Sequence, residues 1–111
     1  MDRLDLLRIK LMEECAEVSQ ATSKCLRFGN EHAQEPGGRV NIDRLRDEVL
    51  DLFVALEAIR NEGFDLFPNF SDPRVQEKMQ RLEHYMEISK RHGQMTPHEF
   101  ARQFDQRIEP S

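Results

Sequence analysis

Two acidic stretches, Leu11-Met12-Glu13-Glu14-Cys15-Ala16-Glu17-Val18 and Glu48-Val49-Leu50-Asp51, decide how this chain is read. Each sets acids three positions apart inside a run whose apolar residues recur at helical spacing. Around the first, Leu4, Leu7, Leu11, Cys15, Val18, Thr22 and Cys25 predict a helix from about Arg3 to Arg27. Asp2 is its expected N-cap, Asp5 suits the first turn, and Gly29 and Asn30 supply the stop. Around the second, Leu45, Val49, Leu52, Leu56 and Ile59 predict a helix from about Ile42 to Asn61, with Asn41 as N-cap and Gly63 as terminator.

A residue turns about 100° around an ideal helix. On the first helix Glu14 then lies about 50° from the centre of the apolar stripe, at its border, and Glu17 about 110° away, one step outside. On the second, Glu48 and Asp51 fall about 60° and 120° from the centre, on the same rotational side. Antiparallel packing of the two seams would bring both acid pairs together. Four converging carboxylates repel, so some must hold protons or a cation must join them. Oxygen ligands without sulfur or imidazole favour Mg²⁺ or Mn²⁺, and Mg²⁺ is commonly shared with substrate phosphates. A plainer reading stands beside this one: acid pairs are ordinary on solvated helix faces, and Glu48 can pair with Arg44 at i, i+4. A di-iron bundle needs Glu-x-x-His. None of His32, His84, His92 and His98 has Glu three positions before it, and no role is assigned to them.

The rest of the chain reads as further helices and links. Phe28 to Asn41, with Glu35-Pro36-Gly37-Gly38, is a breaker-rich connection, long for a helix–helix link and so either mobile or a lid. Phe64 to Phe70 is a turn whose aromatics could plug a bundle end or stack on a base. Ser71 or Asp72 is expected to cap a third helix with Pro73 in its first turn and a stripe of Val75, Met79, Leu82 and Met86, ending near His92 and Gly93. Thr96, Pro97 and Glu99 announce a last short helix bearing Phe100, Phe104 and Ile108. The expectation is therefore all-α: one domain over 1–111, an antiparallel bundle of four to five helices, with a long loop at 28–41 and a short C-terminal helix and tail at 94–111.

Composition narrows the function. The chain has 111 residues, 33% of them charged, no Trp, and five each of Gly and Pro, which suits helices with solvated outer faces. A formal net charge of -5 argues against a nucleic-acid groove, though not against a phosphate ligand held through metal ions. Cys15 and Cys25 would stand about 15 Å apart on one helix, too far for a disulfide, and read as small core residues in a reducing compartment. No signal peptide is apparent and the apolar runs are too short to span a membrane, so a cytoplasmic protein without membrane partners is expected.

The two acidic stretches resemble the EExxE and ExxD motifs of the all-α NTP pyrophosphatase superfamily, the MazG-like proteins. The resemblance covers roughly half the chain and lies in the combination and order of the motifs. It implies hydrolysis of a nucleoside triphosphate to the monophosphate and pyrophosphate, with Mg²⁺ as cofactor and Mn²⁺ as a possible substitute. It places the metal ligands on Glu14, Glu17, Glu48 and Asp51, and makes Glu13 or a ligand carboxylate the acceptor of the attacking water's proton. Lys78, Arg81 and Tyr85, which share one edge of the third helix, match positions that contact phosphates; the alternative is that Lys78 and Arg81 lie over the bundle surface. Lys24 and Arg27 read as partners of a helix C-terminus. The resemblance also implies a homodimer or homotetramer, with bundles completed across subunits. Thirty residues separate Glu17 from Glu48, a long interval for the family, which leaves the loop and the choice of substrate open. A phosphoribosyl-ATP pyrophosphohydrolase and a non-catalytic helical interaction module, docking through Phe100, Phe104 and Ile108, are the competing readings.

Overall fold

The structure, a computed structural model, describes residues 1–93. Helices α1 (Arg3–Phe28), α2 (Asn41–Asn61) and α3 (Pro73–Arg91) account for its regular structure, and the described residues contain no strand. The expected helix from Thr96, with Phe100, Phe104 and Ile108, lies outside the described residues. The chain divides into two compact units, Met1–Pro68 and Asn69–Ser111.

In the first unit α1 and α2 pack against each other as an antiparallel pair. Arg3 at the start of α1 bonds Glu62 just past the end of α2 at 2.6 Å. At the other end, the amide of Asn41 donates to the carbonyls of Gly29 and Lys24, at 3.0 and 3.4 Å. Asp2 caps α1 as expected, in a reciprocal capping box with Asp5. Gly29 ends the helix at φ 95°, a backbone angle that strains any residue with a Cβ.

The buried seams follow a stricter rule than the stripes predicted. On α1 the inward residues are Leu4, Leu7, Leu11, Glu14, Val18, Ala21 and Cys25. On α2 they are Asn41, Leu45, Glu48, Leu52, Ala55 and Ile59. Both sets alternate steps of three and four, the pattern of two helices meeting along a heptad seam. Ala21 and Ala55 are buried, and their small side chains let the backbones approach; Ile59 is the most buried apolar residue, at 2% exposure.

Cys15, Thr22 and Val49, expected in the stripes, are instead exposed. The heptad assigns their places to Glu14, Ala21 and Glu48, and Thr22 turns its hydroxyl back to the Val18 carbonyl at 2.8 Å. Cys15 is thus no core residue, while Cys25 is half-buried, and both thiols are free. Asn41 is not the N-cap of α2 either. Val40 holds that position without a side-chain bond, because the Asn41 amide is committed across the interface to α1.

The connection over residues 29–40 is ordered by specific bonds. A single bridge pairs Ala33 with Val40, a turn closes from Gly38 N–H to the Glu35 carbonyl at 2.9 Å, and Gly37 has φ 75°. Arg39 grips Asp47 on α2 with two bonds of 2.7 and 2.8 Å. Beyond α2, Phe67 packs edge-on against Phe53, with centroids 5.8 Å apart, while Phe64 and Leu66 remain exposed.

In the second unit, Asp72 caps α3 by accepting from Arg74 N–H, with Pro73 in the first turn. No residue of α3 is buried, and Met79 and Leu82 of its stripe are exposed. No helix among the described residues is long and apolar enough to cross a membrane.

Candidate metal centre

The heptad seams place one glutamate from each helix where an apolar side chain is the norm. Glu14 is only 2% exposed and Glu48 is partly buried. Glu17, one turn along α1, is exposed beside them. One carboxylate oxygen from each of Glu14, Glu17 and Glu48 lies within 4.8 Å of the other two. At that separation two ionised carboxylates repel by about 3–4 kcal/mol at an effective dielectric of about 20, less where Glu17 meets solvent.

The residues around the cluster relieve this repulsion in part. Lys10 Nζ lies 2.8 Å from Glu14 Oε1. Glu14 Oε2 and Glu48 Oε2 are buried and accept no hydrogen bond from any described residue. A hydrogen bond with Glu17 raises the Glu48 carboxyl above its ordinary value, helped by burial and by the charges of Glu17, Asp51 and Glu14. Buried acceptor oxygens without donors, clustered with a third carboxylate, form a donor set suited to a divalent cation. Glu14, Glu17 and Glu48 are thus an all-oxygen set of the kind a hard divalent cation takes.

The other residues singled out from the sequence fall as follows. Asp51 is exposed; its charge acts on Glu48, but it is not one of the three clustered acids. It shares with Lys10 and Glu14 a hollow of about 320 Å³, lined otherwise by Leu7, Val54, Ala55 and Ala58. Glu13 is exposed and its charge acts on Lys10. Arg44 does not pair with Glu48; its guanidinium bonds Gln34 in the loop at 3.2 Å. Lys78, Arg81 and Tyr85 lie on α3 in the second unit, all exposed.

A second, larger hollow opens on the other side of the cluster, about 470 Å³ in volume. Glu17, Asp47 and Glu48 line it together with Lys24, Arg39, Asn41 and Arg44. The sequence reading assigned Lys24 to the helix terminus and gave Arg39 and Arg44 no role in binding. Two signals were present: Arg44 lies one turn before Glu48, and Lys24 two turns after Glu17. Arg39 could not be placed from the sequence, because its position depends on the path of the loop.

Comparison with protein-family models, with curated proteins and with solved structures returns no match. The likeness to MazG-like proteins therefore consists of the two motifs and their order.

Two predictions follow from the cluster's charge. Lys10→Met removes the ammonium beside a buried carboxylate. The melting temperature without Mg²⁺ should fall, and the rise on adding Mg²⁺ should exceed that of the wild type, as read by thermal unfolding with and without the ion; equal responses in the two proteins would contradict the role given to Lys10. The second concerns pH. A carboxyl raised in the folded state binds more protons folded than unfolded, so stability falls as pH rises from its ordinary value of 4.5 through the folded value. Asp47 and Asp72, lowered by Arg39 and Arg74, act in the opposite sense and at lower pH, where their stabilisation is lost as pH falls. Metal-free protein should thus lose stability as pH rises above 4.5, and Glu48→Gln should flatten the loss. Melting curves in a chelating buffer across that range read both.

Proposed function

We propose that this chain is a Mg²⁺-dependent nucleoside triphosphate pyrophosphohydrolase of the MazG-like kind, yielding a nucleoside monophosphate and pyrophosphate. One observation carries the reading. Three carboxylates from the two motifs converge, two of them through seam positions, and two of their buried oxygens lack donors. Leucine at those seam positions would pack the pair at least as well, so the glutamates there favour a task beyond packing.

Glu14, Glu17 and Glu48 would hold the metal, with Asp51 as the fourth acid at the edge. When bound, Mg²⁺ neutralises phosphate charge and acidifies water, which is the chemistry that cleavage of a phosphoanhydride needs. The chain's own groups orient the substrate and accept the proton. Glu17 lines the larger hollow and is open to a ligand there. Glu13 is the alternative proton acceptor, and Lys78, Arg81 and Tyr85 are the phosphate contacts that the resemblance implies. Leu6, Met12, Leu50, Phe53 and Val54 leave apolar surface on α1 and α2 uncovered. Uncovered apolar surface on this scale supports completion of a four- to five-helix bundle by a second copy, in a homodimer or homotetramer.

A screen for pyrophosphate release across canonical and modified ribo- and deoxyribonucleoside triphosphates, with and without Mg²⁺, tests the proposal. Release of pyrophosphate from at least one of them, dependent on Mg²⁺, is the expected result. Absence of release from all of them, with Mg²⁺ shown to be bound, would refute the activity while leaving the metal site standing.

A further inference from the structure

The carboxylate cluster stands between two hollows, one with three cations and no aliphatic side chain larger than alanine, the other with one cation and an aliphatic wall, and this gives the site a direction. On one side the larger space is lined by the cations Lys24, Arg39 and Arg44 together with Glu17, Glu48 and Asp47, the last paired with Arg39. On the other side Leu7, Val54, Ala55 and Ala58 line the smaller one, together with Lys10, Glu14 and Asp51. A nucleoside triphosphate cut at the α-phosphorus has a matching division: a polyanionic leaving half and a half that carries the apolar faces of a base. Building on the proposed function, we infer that the β- and γ-phosphates enter the hollow lined by Lys24, Arg39 and Arg44, and that the nucleoside enters the one lined by Leu7, Val54, Ala55 and Ala58.

The charges support this polarity. Lys24 forms no ion pair among the described residues, and Arg44 is held only by the neutral Gln34, so both cations can engage an anion without losing a charged partner. Arg39 is tied to Asp47 and would have to exchange that carboxylate for a phosphate. No aromatic or aliphatic side chain larger than alanine lines the cationic hollow, so nothing there would receive the face of a base. The loop that lengthens the interval between the motifs thereby becomes part of the phosphate site.

The test is calorimetric titration of the full chain, in Mg²⁺, with inorganic tripolyphosphate and separately with each of the four common nucleoside monophosphates. Lys24→Met and Arg44→Met should each weaken tripolyphosphate binding roughly tenfold or more, the equivalent of a lost charge-assisted hydrogen bond, and leave monophosphate binding nearly unchanged. Lys24→Arg should restore most of the loss. Ala58→Leu, which fills the apolar hollow, should do the reverse, weakening the monophosphate alone; circular dichroism checks that each variant is folded. If Lys24→Met weakens the monophosphate instead, the direction is inverted and the inference is wrong. Unchanged affinities in both cationic variants also overturn it. A wild-type chain that binds Mg²⁺ but no tripolyphosphate overturns this inference alone, whereas one that binds neither removes the proposed function with it.

Discussion

Glu14→Gln should reduce Mg²⁺-dependent pyrophosphate release by at least about a hundredfold, since loss of a ligand exceeds the 10–100-fold cost of losing its supporting hydrogen bonds. The same substitution should raise, or leave unchanged, the melting temperature of the metal-free protein. Glu14 has one oxygen on Lys10 and one with no donor, in a seam position that is 2% exposed. A Gln amide is nearly the same size and carries donors that the neighbouring carboxylates of Glu17 and Glu48 can accept. Activity and stability thus move in opposite directions, which a merely structural glutamate would not produce. Asp51→Asn should weaken Mg²⁺ affinity without matching the loss at Glu14, because Asp51 lies outside the group of three. Turnover at the wild-type level in Glu14→Gln would refute the assignment.

Asn41→Ala should destabilise the fold by about 2 kcal/mol, within the range for stranding buried hydrogen-bonding groups. Asn41 is 4% exposed, and its amide reaches the carbonyls of Gly29 and Lys24 while its own N–H donates to the His32 carbonyl at 2.9 Å. Truncation takes the amide donor from both carbonyls, leaving Gly29 only a long 3.4 Å bond from His32 N–H, while the backbone bonds from Asn41 and Ile42 to His32 and Asn30 remain. For a domain of this size the melting temperature should drop by roughly 10 °C. Gln34→Ala, which removes only the exposed bond to Arg44, is the control and should stay within about 0.5 kcal/mol of wild type. Equal stability of Asn41→Ala and Gln34→Ala would show that the junction is not held as described.

The helices and the position of the acids were legible in the sequence because both depend on local periodicity. Asp2, Gly29, Asp72 and Pro73 mark helix ends by short-range chemistry, and the structure uses each of them. Helical geometry likewise set Glu14 and Glu48 nearer the seam than Glu17 and Asp51, which is how their burial falls. The reading erred where hydrophobicity was taken as the guide to inwardness. Cys15, Thr22 and Val49 were drawn into the stripes as apolar residues, whereas strict steps of three and four pass through Glu14, Ala21 and Glu48. Asn41 looked like a cap because caps are commonly Asn, but its amide has a longer-range task. The cationic wall was not legible: Arg39 reaches the site only through the loop, and no local pattern fixes the path of a loop.

The central claim is that Glu14, Glu17 and Glu48 together hold a divalent cation. Titration of Mg²⁺ into the metal-free chain, followed by calorimetry in buffers of different ionisation heat, tests it most directly. Saturable binding is expected, with proton release that grows as pH falls because the Glu48 carboxyl is raised, and with both the heat and the release lost in Glu48→Gln. Absence of saturable binding, or a titration that Glu48→Gln leaves unaltered, would contradict it.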